Sequence, residues 1–167
     1  MKNIFLIGFM GSGKSTIGKN LAKKLNKEFI DLDDYIVEKK QMTITDIFQQ
    51  FGEEEFRKLE NSALKEIIKN KNQIIATGGG VPCFYDNMEI MNENGTTVFL
   101  QLPAEELAKR LANEKAQRPL IAELSNSELI DFINKKLNER DKFYSKAKVI
   151  INSNSKDINY YISSINE

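Results

Sequence analysis

The segment Gly8-Phe9-Met10-Gly11-Ser12-Gly13-Lys14-Ser15 constrains this chain more than any other stretch. It follows an apolar run, Asn3 to Ile7, that has the look of a buried parallel strand. It precedes a segment in which Ile17, Leu21, Ala22 and Leu25 recur at helical spacing. A strand, a glycine-rich loop and a helix in that order make a cradle for phosphate. The glycines let successive backbone N–H groups turn inward, and the helix aims the positive end of its dipole at the same anion. Lys14 is placed for the β- and γ-phosphates of a nucleoside triphosphate, and the Ser15 hydroxyl for Mg2+. A chance glycine turn is the competing reading, and the strand–loop–helix context argues against it.

The alternation continues along the chain. Phe29-Ile30 reads as a second strand ending in Asp31, with a helix from about Asp34 to Lys40. Thr43 with Asp46 is a capped helix start, and Gly52 is a stop. A longer helix from Glu53 to about Lys69 buries Phe56, Leu59, Leu64, Ile67 and Ile68. Further strands are expected at Gln73–Ala76, Thr97–Leu102 and Val149–Ile151, with a helix after Pro103 and a short terminal one. Repeated strand–helix units predict an α/β fold: a five-stranded parallel sheet covered by helices on both faces, in one domain over residues 1–167. The Arg118-Pro119 step disfavours helix, so residues 114–127 connect two helices. An ordinary loop is one reading. A mobile lid bringing Arg118 to the phosphates is the sharper one, because phosphoryl transfer must be shielded from water.

Composition removes several classes. Net charge is zero, with 24 basic and 24 acidic residues, so overall charge gives no support to nucleic-acid binding. No apolar run approaches a membrane span, and the N-terminus does not read as a signal peptide. One cysteine, Cys83, suits a reducing cytoplasm and reads as a small apolar filler. With no histidine, any proton acceptor must be a carboxylate or another group. Only four basic residues are arginine: Arg57, Arg110, Arg118 and Arg140. A chain that meets surface charge with lysine keeps arginine where its planar fork grips carboxylate or phosphate; four chance surface residues are the alternative.

Open α/β sheets bind ligands beyond the carboxyl ends of their strands. Strand two ends in Asp31-Leu32-Asp33, and extended-chain alternation sends both carboxylates to one side. One could face hydrated Mg2+ while the other takes a proton from an attacking hydroxyl; a pair of solvated turn aspartates is the competing reading. Strand three runs into Gly78-Gly79-Gly80, where a ligand could approach the backbone or the chain simply turns tightly.

Taken together, the chain resembles the shikimate kinases, small members of the nucleoside-monophosphate-kinase-like P-loop family. The likeness is carried by residues 8–16, Asp31-Leu32-Asp33, Gly52 to Glu60 with Phe56-Arg57, and Thr77 to Gly80. Arg118-Pro119-Leu120 and Glu139-Arg140 followed by Tyr144 complete it, in the family's order. The resemblance implies a P-loop NTPase fold of three α/β/α layers with a mobile lid, and an acceptor region over about 31–61. Gly11, Ser12, Gly13, Lys14, Ser15 and Thr16 would bind ATP, with Arg110 stacked on the adenine. Ser15 and Asp31 would serve Mg2+. Asp33 would hold the acceptor hydroxyl and act on its proton, while Arg57, Arg140 and the backbone of Gly78–Gly80 hold shikimate. Lys14 and Arg118 would neutralise the transferring phosphoryl group. The expected activity is transfer of the γ-phosphoryl group of ATP to the 3-hydroxyl of shikimate, by a cytoplasmic monomer that binds neither nucleic acid nor membrane. A kinase for gluconate or a nucleoside monophosphate, or a nucleotide-dependent switch, are the rival expectations.

Overall fold

The computed structural model describes residues 2–115 and 120–166. Five strands, β1 (Asn3–Ile7), β2 (Glu28–Asp31), β3 (Gln73–Ala76), β4 (Gly95–Gln101) and β5 (Val149–Asn152), form one parallel sheet in the order β2-β3-β1-β4-β5. The helices are α1 (Lys14–Leu25), α2 (Leu32–Lys40), α3 (Ile44–Ile67), α4 (Asn87–Asn94), α5 (Ala104–Ala112), α6 (Asn126–Tyr144) and α7 (Ile158–Asn166).

Period-two alternation along β1 explains the layers. Phe5 and Ile7 face the side covered by α2, α3, α4 and the end of α6, packing on Leu32, Ile36, Phe56, Leu64 and Met88. Ile4 and Leu6 face the opposite side, against Leu21 and Ala22 of α1 and Tyr161 of α7. Both faces are thus buried, and each fully buried Phe, Ile or Leu side chain contributes about 1.5–3 kcal/mol over its exposed state. A third apolar cluster joins Phe9 to α5 and α6 through Leu107, Leu111, Leu129 and Ile133.

β1 and β3 are neighbours in register, Ile4 opposite Ile74. The chain leaves β1 into α1 on one face and leaves β3 toward α4 on the other. Neighbouring strands whose connections part in this way open a crevice at their carboxyl ends. The loop 8–13 and the glycine turn 78–80 therefore lie side by side: a Cβ on Gly79 would stand 3.4 Å from the Gly8 carbonyl.

Three local features differ from expectation. The helix after β2 starts at Leu32, earlier than Asp34, because the Asp31 carboxylate accepts the Asp33 and Asp34 N–H groups at 3.0 and 3.4 Å and caps it. Residues 81–94, for which the sequence indicates no element, form a 3-10 turn over Val81–Cys83 and then α4, a short helix whose three apolar positions, Met88, Ile90 and Met91, carry little periodic signal. β4 starts at Gly95, two residues early. The expected break at Gly52 is present, with φ 79° and ψ 174° inside α3. Thr43 caps that helix through the Asp46 N–H. α6 begins at Asn126 behind a reciprocal Ser125–Glu128 capping box, so the last positions of the segment 114–127 are already helical. Arg118 lies outside the described residues. Among those described, no helix is long and apolar enough to cross a membrane.

Candidate active site

A cleft of about 560 Å³ opens between the loop after β1, the N-terminus of α2 and the glycine turn after β3. The side of the cleft formed by the loop after β1 is made mostly of backbone. Gly11 and Gly13 hold left-handed φ values of 82° and 95°, which strain any residue with a Cβ, and α1 begins at once with Lys14. The Lys14 ammonium donates to the Gly8 and Phe9 carbonyls at 2.8 Å each, so the cation lies within the curve of the loop. Ser15 Oγ donates to Asp31 Oδ2 at 2.7 Å. Asp31 thereby ties the first turn of α1 to that of α2, one oxygen for each.

Arg110, from α5, reaches over the loop to the Gly11 carbonyl at 3.3 Å and the Ser153 carbonyl at 3.4 Å. Ser153, in the connection after β5, is buried and donates its hydroxyl to the Ser12 carbonyl at 3.0 Å. The loop after β5 is pinned to the phosphate loop by these contacts.

The other side is made of side chains held around Gly78–Gly80. Asp33 sits in the first turn of α2 with Oδ1 buried and, among the described residues, without a hydrogen-bond partner. Burial, and then the negative charge of Asp31, raise its carboxyl above the usual range, against the opposing pull of Lys14 and Arg57. Arg57 donates to Glu60 at 2.8 Å and to Glu53 at 3.4 Å, and its guanidinium lies over the Phe84 ring at 4.3 Å. Glu60 is 1% exposed. Its burial outweighs the attraction of Arg57 and lifts its carboxyl to about 7. Arg140, from α6, lies over the Phe9 ring at 5.4 Å.

The glycines are what allow these groups to meet. A Cβ on Gly80 would stand 2.7 Å from Arg57 Nη1, and one on Gly79 2.9 Å from Arg140 Nη1. At Gly78 the nearest groups are Glu60 Oε1 at 3.1 Å and Asp33 Oδ1 at 3.4 Å. A side chain on Gly79 or Gly80 would displace a guanidinium, and one on Gly78 would press on the Glu60 carboxylate.

Of the residues singled out from the sequence, Gly11, Gly13, Lys14, Ser15, Thr16, Asp31, Asp33, Gly78, Gly79 and Arg110 line the one cleft. Ser12 is the buried residue of the loop, and Arg57 and Arg140 meet the glycine turn at Gly80 and Gly79, beyond the lining of that cleft. Asp31 and Asp33 do share the cleft, but not by strand alternation: a cap and the first helical turn bring them there. Glu60 falls within the acceptor region expected over about 31–61 but without a role of its own, and Phe84 and Ser153 are not among the residues read from the sequence. The Arg57/Glu60 spacing of three on a helix is a readable ion-pair signal. Nothing local marks Phe84 or Ser153, whose partners are distant in the chain. Cys83 is half-buried and its thiol is pushed up by burial, in keeping with a packing role.

A phosphate loop sharing one wall with a crevice of carboxylates and guanidiniums places the molecule among the P-loop small-molecule kinases. Comparison with known proteins narrows that class. The shikimate kinase family model matches residues 10–166. The shikimate kinase of Azobacteroides pseudotrichonymphae is 50% identical over 151 residues, covering 90% of this chain and 89% of that one. The crystal structure of shikimate kinase from Bacteroides thetaiotaomicron superposes with a TM-score of 0.90 at 46% identity, covering 99% and 94% of the two chains. The solved structure of Acinetobacter baumannii shikimate kinase in complex with shikimate gives a TM-score of 0.87 at 34% identity, over 99% and 90%. The chain belongs to the shikimate kinase family.

Proposed function

We propose that this enzyme transfers the γ-phosphoryl group of ATP to the 3-hydroxyl of shikimate, giving shikimate 3-phosphate and ADP. The observation that carries this reading is the convergence of Asp33, Arg57 and Arg140 on a side-chain-free glycine turn that abuts the phosphate loop. Two guanidiniums suit a carboxylate-bearing acceptor, since each offers a planar fork of donors. Asp33, with a buried and unpartnered oxygen, suits a hydroxyl proton.

In this mechanism Arg57 and Arg140 anchor the acceptor carboxylate, which turns the hydroxyl toward the phosphate loop. The hydroxyl oxygen bonds to the γ-phosphorus as the bond to the β–γ bridging oxygen breaks. Its proton passes to Asp33, and ADP leaves with the bridging oxygen. Lys14, the loop N–H groups and the N-terminus of α1 take up the phosphate charge. Positioning and charge neutralisation supply the rate, with no covalent intermediate on the protein.

The Ser15 hydroxyl and the Asp31 carboxylate are hard oxygen donors 2.7 Å apart at the mouth of the loop, a donor set that fits Mg2+. Ser15 would hold the ion directly and Asp31 through its water. When bound, it would supply positive charge against the nucleotide phosphates. Arg110 would cover the adenine beside the Ser153 loop, and Arg118 would arrive on a lid over 114–127. We assign residues 1–167 to one kinase domain, acting as a cytoplasmic monomer with acceptor contacts within about 31–61 and at the glycine turn and Arg140.

An ADP-release assay offering shikimate, AMP and gluconate in parallel tests the acceptor. Turnover with shikimate alone is expected, and none above background would defeat the reading. Turnover with AMP or gluconate would instead establish a related kinase. Acceptor-independent hydrolysis without calorimetric binding of shikimate would establish a nucleotide switch.

A further inference from the structure

The motif Glu139-Arg140 with Tyr144 contains a residue to which the acceptor site has so far given no task. Tyr144 ends α6, is 1% exposed, and lays its ring on Phe99 with centroids 4.8 Å apart. That packing needs only the ring. The hydroxyl is a separate matter, since a buried phenol needs a hydrogen-bond partner. Its neighbours are the Gly79 carbonyl at 2.6 Å and Arg140 Nη1 at 3.4 Å. A carbonyl cannot donate and a guanidinium cannot accept, so the direction of both bonds is fixed. The phenol proton goes to Gly79, and the phenol oxygen receives Arg140.

Tyr144 therefore joins the glycine turn to the guanidinium that stands 2.9 Å from the Cβ position of Gly79. Phe9 supports the same guanidinium at 5.4 Å. The Arg140–Tyr144 bond is long, so its contribution is orientation more than strength. Burial pushes the phenol up to about 12, so it stays protonated and remains a donor at neutral pH.

We propose that Tyr144 is a positioning residue for acceptor recognition, its hydroxyl holding the Gly79 peptide and the Arg140 guanidinium in the placement that grips a carboxylate. This rests on the assignment of Arg140 to the acceptor carboxylate. Turnover of shikimate by the wild-type enzyme is the reference measurement, and its absence would count against that assignment instead. Tyr144→Phe is expected to raise the Michaelis constant for shikimate about ten-fold, leaving kcat and the Michaelis constant for ATP within about two-fold. In an Arg140→Lys background the same substitution is expected to add less than about two-fold, because the two residues act as one unit. An unchanged constant for shikimate, an equal rise for ATP, or a full effect persisting beside Arg140→Lys would each overturn the proposal. A chain carrying 4-aminophenylalanine at position 144 keeps a donor toward Gly79 and is expected to recover to within about three-fold of wild type. Failure to recover would overturn the role of the donated bond, whatever the folding of the Phe variant.

Discussion

The phosphate loop is one unbroken stretch, residues 8–16, that presents mainly main-chain groups, with Arg110 and Ser153 reaching it from later in the chain. The proposed acceptor side gathers Asp33, Arg57, Glu60, the turn 78–80, Arg140 and Tyr144 from separate parts of the chain and presents side chains. The phosphate loop answers a ligand whose charge is the same in every nucleotide, so backbone N–H groups and a helix dipole suffice. The acceptor is a particular molecule, and telling it from others requires forks and carboxyls at fixed places. The second kind of site has a cost that the first does not. It buries Glu60 and Asp33 where burial raises both carboxyls above their ordinary range.

The sharpest way to break this contrast is Asp33→Asn, which is expected to lower kcat by about 10³ while leaving the Michaelis constant for ATP within about three-fold. Steady-state ADP release measures both, and near-normal turnover would remove Asp33 from the chemistry. Because Asp33 titrates above the usual range, wild-type kcat is also expected to fall on acidification at a pH above about 4, the ordinary carboxylate value.

Glu60 gives the next effect, on stability. Its carboxyl is raised from 4.5 to about 7 in the folded chain, so the folded state binds the proton more tightly than the unfolded one. The resulting stabilisation is complete below the unfolded value and is lost as pH rises through about 7. Between about pH 5 and pH 8 the wild type is expected to lose up to about 3 kcal/mol relative to Glu60→Gln, which cannot ionise. Denaturant unfolding of both proteins at the two pH values measures it, and parallel stabilities would show that Glu60 is solvated.

Arg57→Lys keeps the charge and removes the fork. The Michaelis constant for shikimate is expected to rise about thirty-fold, equivalent to about 2 kcal/mol, with ATP binding unaffected. A constant that stayed put would take Arg57 off the acceptor. The smallest expected effect is on the nucleotide side: Ser153→Ala removes a buried bond to the Ser12 carbonyl and is expected to weaken ATP about five-fold, near 1 kcal/mol. No effect on calorimetric ATP affinity would mean the phosphate loop needs no brace from β5, and the contrast between the two sides would be complete.

How much of this was legible in the sequence differs between the same two regions. The loop 8–16 declares itself because its determinants are local: glycine spacing, a strand before and a helix after. The strands β1, β3 and β5 fall close to their expected places for the same reason, and Gly52 and Thr43 act where their chemistry directs. α4 escaped, having too few apolar positions to show a period. Asp31 and Asp33 were paired correctly for the wrong reason, since the capping bond that starts α2 at Leu32 outcompetes further extension of the strand. The scarcity of arginine singled out Arg57, Arg110 and Arg140 from a background of lysine, yet said nothing of what each touches.

The sequence by itself determined the phosphate cradle, the alternation that yields a parallel sheet, and the short list of residue types from which an acceptor site could be made. Periodicity, glycine conformational freedom and helix capping act over a few residues, so they can be read in one dimension. Only the tertiary structure decided that β3 inserts beside β1, which sets the glycine turn against the phosphate loop. It alone brought Arg57 and Arg140 to adjacent α-carbons of that turn, buried Glu60 beneath Arg57, and joined Tyr144 to Gly79 across the chain. Those contacts depend on strand order and on which faces of α3 and α6 meet the sheet, and no local spacing encodes either.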